Sequence, residues 1–236
     1  MLINVGQDRT VAIDLRLAVW LSLVAGAVNA AGFRALGYFS ANMTGNVSTL
    51  SDMLAIGRLG VALWFASLVL AFIFGAFVSA LLVEAGQARR IRGIYAFSIL
   101  AEALLLVILA ALDMALPIEI TGRVMMVGLS FVMGLQNAAT TRISDARVRT
   151  SHVSGIATDI GIELAQLLGQ GRHQPALRSK LLLHVATLAA FFGGGLAGVW
   201  GYERIGPTIF LLVAALLVAL AVPELRRVYA GDRTGR

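Results

Sequence analysis

The sequence predicts an all-α integral membrane protein. The expected bundle has about six transmembrane helices plus two short polar re-entrant or interior helices, arranged as two inverted repeats. Three observations carry that expectation. Hydrophobic residues make up 58% of the 236 and charged ones only 14%, and the charges fall between apolar runs rather than within them. A polar motif occurs twice at matching places. The basic residues divide sharply between the two sides of the membrane under one topology only.

The apolar runs follow in order. Residues 15–33 are too long for a signal-peptide core and have no clean small-residue cleavage site after them, so they read as the first span. Residues 61–83, 94–112 and 181–202 are each long enough to cross about 30 Å of hydrocarbon at about 1.5 Å per residue. Residues 124–139 and 207–222 are shorter or more interrupted but still read as spans. The longest polar connection is roughly ten residues, which leaves no room for a soluble domain. The whole chain, 1–236, is one membrane domain. Two segments differ in kind, 42–57 and 151–169. The first carries Asn42, Thr44, Asn46, Ser48, Thr49, Ser51 and Asp52. Lipid tolerates such a segment poorly, but a protein-enclosed, partly wetted position accepts it.

These segments mark an internal duplication. Val24 to Ala31 aligns with Val132 to Ala139 at an offset of 108, with five of eight positions identical. Two inserted residues later, Thr44 and Gly45 fall on Ser154 and Gly155, and further along Ala71, Phe72 and Gly75 fall on Ala190, Phe191 and Gly194. The matches keep their order, which favours duplication over chance. Repeat 1 covers about residues 15–112 and repeat 2 about 121–224.

The 19 basic residues choose the topology. If both polar segments span, they split 11 to 8 between the two sides. If both dip in and return, Arg9, Arg16, Arg89, Arg90, Arg92, Arg142, Arg147, Arg149, Arg172, Arg178, Lys180, Arg226, Arg227, Arg233 and Arg236 share one side. Only Arg34, Arg58, Arg123 and Arg204 then fall opposite. That 15 to 4 split is what the positive-inside rule requires, with both termini cytoplasmic. Three spans per repeat make the repeats inverted.

Asn42 or Ser40, and Ser151, are plausible helix caps, so a helix starts at each motif. Such starts point free N–H groups and a positive dipole end into the protein, and paired broken segments mark solute sites in duplicated transporters. The candidate solute-binding residues are Asn42, Thr44, Gly45, Asn46 and Thr49 in the first segment, and Ser154, Gly155, Thr158 and Asp159 in the second. The bland alternative is that the glycines and hydroxyls only permit close packing. His152, Asp159, Glu163 and Gln166 share one helical face, which reads as a solute-facing or a solvated surface face. Gln136 and Asn137 face the solute or glue helices, gluing being the commoner role. Glu102 lies mid-span with only apolar residues from Ala103 to Leu112. A lone carboxylate at that depth belongs in the bundle interior, as a proton carrier or in a structural hydrogen bond. Asp159 is the second candidate for proton coupling. Gly75 with Ser79, and Gly194 with Gly198, are small-residue packing signatures.

Whole classes drop out. The chain has no cysteine, which removes disulfides, thiolate metal sites and iron–sulfur clusters. His152 and Asp159 lie roughly 10 Å apart along a helix axis, too far for a shared metal, and no metal or other cofactor is expected. No phosphate loop, zinc-protease or nucleophile-elbow motif occurs, so no enzyme is expected. The net charge of +6 reads as membrane orientation and not as nucleic-acid binding. Expected partners are the lipid bilayer, an unknown small solute and, as an option, a second copy of the chain in a homo-oligomer.

At these motifs the chain resembles the YoaK-like bacterial multi-pass membrane proteins, a family of uncharacterised function. The residues that carry the resemblance run from Asn42 to Asn46, from Gly134 to Ala138 and from Gly155 to Asp159, with Glu102 in a similar setting. Asn29 stands where the family pattern often has Asp. The resemblance implies a multi-pass protein of the bacterial inner membrane and supplies no substrate. The functional expectation is a small-solute secondary transporter or permease with its site at the repeat interface and protons as the candidate coupling ion. A passive channel and a non-transporting scaffold or accessory protein are the alternatives.

Overall fold

The computed structural model describes residues 1–2, 9–91, 93–169 and 174–231. Arg92, Arg172, Arg233 and Arg236, which count in the charge partition, lie outside the described residues. Eight helices follow in order among the described residues: α1 (Val11–Leu36), α2 (Met43–Ala55), α3 (Leu59–Ala88), α4 (Ile94–Ala115), α5 (Ile118–Ile143), α6 (Val153–Leu168), α7 (Pro175–Ile205) and α8 (Thr208–Gly231). All but α2 and α6 are long and apolar enough to cross a membrane. The spans outrun the apolar segments because polar residues continue them. α3 runs on through Glu84 and Gln87, and α5 through Thr140 and Arg142. At 30 and 31 residues, α3 and α7 reach about 45 Å, more than the hydrocarbon thickness.

Local signals set the boundaries. The Thr10 hydroxyl accepts the Ile13 N–H, and Gly37, left-handed at φ 78°, closes α1 by donating its N–H to the Phe33 carbonyl. Asn42 caps α2 by accepting the Gly45 N–H at 3.1 Å. Pro175 opens α7, where its missing N–H costs nothing. The cap of α6 is His152 and not Ser151, and its side chain makes no capping hydrogen bond.

Two helix pairs dominate the packing, α1 with α7 and α3 with α5; α2 lies on α3, α6 on α7, and α4 on α8. The seam between α1 and α5 is far sparser. Lipid tails are as apolar as leucine, so helices in a bilayer associate closely only where small residues let their backbones meet. A β-carbon added at Gly26 would collide with the Phe191 carbonyl, and one at Gly194 with the Leu23 carbonyl. In the other pair, Gly134 meets the Phe72 carbonyl and Gly75 the Phe131 carbonyl. Leu23 and Gly26 precede Phe131 and Gly134 by 108 residues, and Phe72 and Gly75 precede Phe191 and Gly194 by 119. The contacts of the two crossings thus fall at two constant offsets, one for each helix of the pair. Ion pairs obey the same offsets. Arg34 pairs with Glu203 beyond the end of one crossing, and Arg142 pairs with Glu84 at 3.2 Å beyond the other.

The outer surface suits lipid. Leu70, Phe74 and Phe77 on α3, Leu104 on α4, and Phe192 and Leu196 on α7 are all exposed. At the far end Arg204 stacks over Trp200 and Tyr38 packs edge-on against Trp64, as interfacial aromatics do. The N-terminal ammonium pairs with Glu224 of α8 at 2.7 Å, so the beginning of the chain and the last helix share one end of the bundle.

Candidate functional site

Each polar helix begins well short of the preceding span's end because one asparagine ties its leading loop back to that span. Asn29, seven residues before the end of α1, accepts the Ala41 N–H at 2.9 Å and the Ser40 hydroxyl at 3.5 Å. Asn137, six before the end of α5, donates to the Ser151 hydroxyl at 2.7 Å and accepts from the Thr150 hydroxyl at 3.5 Å. At about 1.5 Å per residue, each loop returns roughly 10 Å below the helix end it came from. The anchors are 108 residues apart and the anchored loops 110 apart. α2 then runs back along α3, with Leu50 against the cluster of Phe65, Leu68 and Met126, and α6 runs along α7. The hydroxyls answer their own helices: Thr49 donates to the Gly45 carbonyl, Ser51 to Val47 and Thr158 to Ser154. That lets such a segment sit at membrane depth.

The two motifs stay apart, since no sizeable interface joins α2 to α6. Asn42 and Thr44 are exposed, Gly45 and Thr49 half-buried, and Asn46 buried with its amide nitrogen unpartnered. The nearest neighbour of Gly45 is its own cap Asn42, and that of Gly155 is the His152 ring. Neither glycine meets a crossing backbone.

A cleft of about 740 Å³ opens at the N-terminal end between α1, α6 and α7. Gly155, Thr158 and Asp159 line it, as expected of the second motif, together with Asp14, Arg147, Arg149, His152, Lys180 and His184. Ser154 does not line it. Its buried wall is ion-paired: Asp14 takes Arg9 at 2.5 Å and Arg147 at 3.4 Å, and Glu163 takes His184 at 3.0 Å. Asp159 and Lys180 make no ion pair among the described residues. The α6 N-terminus opens here without a side-chain cap, beside Arg149 and His152. That arrangement suits an anionic group.

A second cleft, about 870 Å³, opens at the opposite end between α1, α3 and α5, lined by Tyr38, Gly60, Val61, Trp64, Ser67, Gly122 and Arg123. Gly122 follows Asp14 by 108, and Ser179 and Lys180 of the first cleft follow Gly60 and Val61 by 119. The two clefts thus occupy corresponding places with different chemistry, charged at one end and aromatic at the other. Asn42, Thr44, Gly45, Asn46 and Thr49 do not line the second cleft.

Between the clefts several polar side chains are fully buried. Gln136 is fully buried and donates its amide to the Leu21 carbonyl at 3.2 Å, while Asn137 is occupied by its loop. Glu102 is fully buried and neither carboxyl oxygen has a hydrogen-bond partner. Sequence reasoning missed Ser22 and Ser130, buried hydroxyls without partners. Extending the 108-residue offset a few positions upstream would have found them. Among the described residues no three His, Asp or Glu side chains gather as a metal site.

A family profile described as protein of unknown function (DUF1275) matches residues 17–222, and YoaK is a member of that family. No curated protein and no solved structure matches the chain.

Proposed function

The chain belongs to the DUF1275 family, and from that premise we propose a small-solute secondary transporter of the bacterial inner membrane, built from two inverted repeats. One observation carries the reading: two clefts at opposite ends, in corresponding positions, are separated by a waist of glycine-packed helices. A channel needs a continuous path, whereas paired clefts on either side of closely packed helices suit alternating access. The moving parts would be α1 with α6 and α7 against α3 with α2 and α5, because these groups are tight internally and meet along a sparse seam. The charge partition supports a cytoplasmic position for the charged cleft and both termini.

The charged cleft suggests the solute class. Its groups are of both signs: Arg149 and His152, which touch each other at 3.5 Å, and the α6 N-terminus suit an anionic end, and Asp159 a cationic end. We therefore take the solute to be a small zwitterion, with Lys180 steering the anionic end. Thermal-shift or calorimetric titration of purified protein should show binding of small zwitterions over simple carboxylates and simple amines. Asp159→Asn should weaken that binding about tenfold or more, worth about 1.4 kcal/mol. If Asp159→Asn binds as tightly as wild type, the cleft is not the site.

A further inference from the structure

We propose that the buried junction of α1, α4 and α5 is a binding site for one monovalent cation, a proton or a sodium ion, with Glu102 as its charged ligand and Gln136 and Ser22 as neutral oxygen ligands. The proposal deepens the transport reading by naming its coupling ion.

Position comes first. Leu17 and Leu21 of α1, Tyr95 and Ile99 of α4, and Ala139, Thr140 and Ile143 of α5 line one small void, so the three helices meet there. Glu102 lies three residues after Ile99 and seven after Tyr95, on the same face of α4. Gln136 lies three before Ala139 and seven before Ile143, on the same face of α5. Its hydrogen bond to the Leu21 carbonyl carries it onto α1 beside Ser22. The two helices run in opposite directions, so both steps lead away from the N-terminal end by about one turn. The three side chains thus reach the same depth.

Glu102, Gln136 and Ser22 are each fully buried. Both Glu102 oxygens, the Gln136 amide oxygen and the Ser22 hydroxyl have no hydrogen-bond partner. The Gln136 amide nitrogen, the obvious donor, is already committed to Leu21. The Ser22 hydroxyl can donate as well as accept but reaches no partner. The buried carboxylate and the Gln136 oxygen are thus left without a donor, a place that a bound cation would take, and the spans around them carry no basic side chain at that depth. Residues 17–33 of α1, 59–83 of α3, 124–141 of α5 and 208–223 of α8 contain no ionisable side chain at all, and residues 94–112 of α4 contain only Tyr95 and Glu102. Arg16, Arg34, Arg123 and Arg142 lie within the first or last two turns of α1 and α5. Oxygen ligands of this kind fit a proton shared between Glu102 and Gln136, or a hard cation such as sodium.

The site also lies on the α1–α5 seam, where the two helix groups would move against each other. A cation there would bind one arrangement of the seam better than the other, which is the requirement for coupling.

The test is thermal unfolding of the full-length protein in detergent, with sodium chloride replacing choline chloride at constant ionic strength, at pH 5.5 and pH 8.5. Wild type should gain roughly 5 °C at saturation. If sodium is the ligand, the gain follows sodium at pH 8.5. If a proton is, it follows acidification without sodium. Glu102→Gln should lose that gain, and Gln136→Ala should shift its midpoint about tenfold; the second variant decides the matter if the first fails to fold. A wild type indifferent to both ions, or a gain that survives both substitutions, overturns the proposal. Such a failure leaves the movement of the clefts untouched, because cleft accessibility is measured separately.

Discussion

Gly134→Val should prevent folded protein from accumulating, and Gly26→Val should do the same. At each position an added β-carbon collides with the carbonyl of the facing helix, and a backbone cannot rotate away as a side chain can. The two helices must separate, which costs about 3 kcal/mol or more, at the upper end for overpacking. Loss of the close contact also removes the main attraction available between helices in lipid. The matched Gly75→Val and Gly194→Val should be equally severe. Gly193→Ala is the control, since nothing lies within 4 Å of its would-be β-carbon. It should express and unfold like wild type. Size-exclusion profiles and melting temperatures in detergent decide the matter, and a monodisperse Gly134→Val with an unchanged melting temperature would contradict the packing described here.

Asn29→Leu and Asn137→Leu should free the loops that start the polar helices. Asn29→Leu leaves the Ala41 N–H without its acceptor, and Asn137→Leu removes contacts to both Thr150 and Ser151. Each loss costs about 1–3 kcal/mol, and about 1.4 kcal/mol is a tenfold shift in the equilibrium between held and released loop. The chain has no native cysteine, so one introduced at Ala41 or at Val153 reports its own loop. Its reaction with a water-soluble maleimide should quicken about tenfold in the asparagine variant. An unchanged rate in both halves would show that the asparagines do not hold the loops.

Much of this architecture is legible in the residues, and the limits are physical. The six spans follow from apolar length, and the two polar helices from their composition. The small-residue pairs at Gly75 and Gly194 announced close packing but not with which partner, because an offset relates positions without saying which helices touch. That α1 would take α7 and α3 would take α5 emerges only in three dimensions. Arg34 and Glu203 are 169 residues apart, and nothing local couples them. The second motif led to a cleft because Asp159 and Thr158 are ionic or polar on an accessible face. The first motif led to a helix start instead, since Asn42 and Gly45 answer the needs of their own first turn. Asn137 was readable as polar glue, but its partner was not, because the returning loop brings Ser151 back to it across fourteen residues. The charged lining from Asp14, Arg147 and Lys180 was hidden because surface charges carry no pattern until the fold gathers them.

The most direct measurement concerns the two clefts together. Cysteines at Asp145, just past the end of α5, and at Lys180 of α7 both line the charged cleft. Bridged by a short bifunctional maleimide, they tie the two helix groups together and hold that cleft closed, while a third cysteine at Ser67 reports the aromatic cleft at the other end. The third site is exposed to a membrane-impermeant probe of different colour after bridging. Alternating access predicts that bridging makes Ser67→Cys react several-fold faster than in the unbridged protein, because closing one cleft opens the other. An Ser67→Cys reaction rate that is the same with and without the bridge would contradict the account, leaving two independent surface clefts on a protein that does not transport.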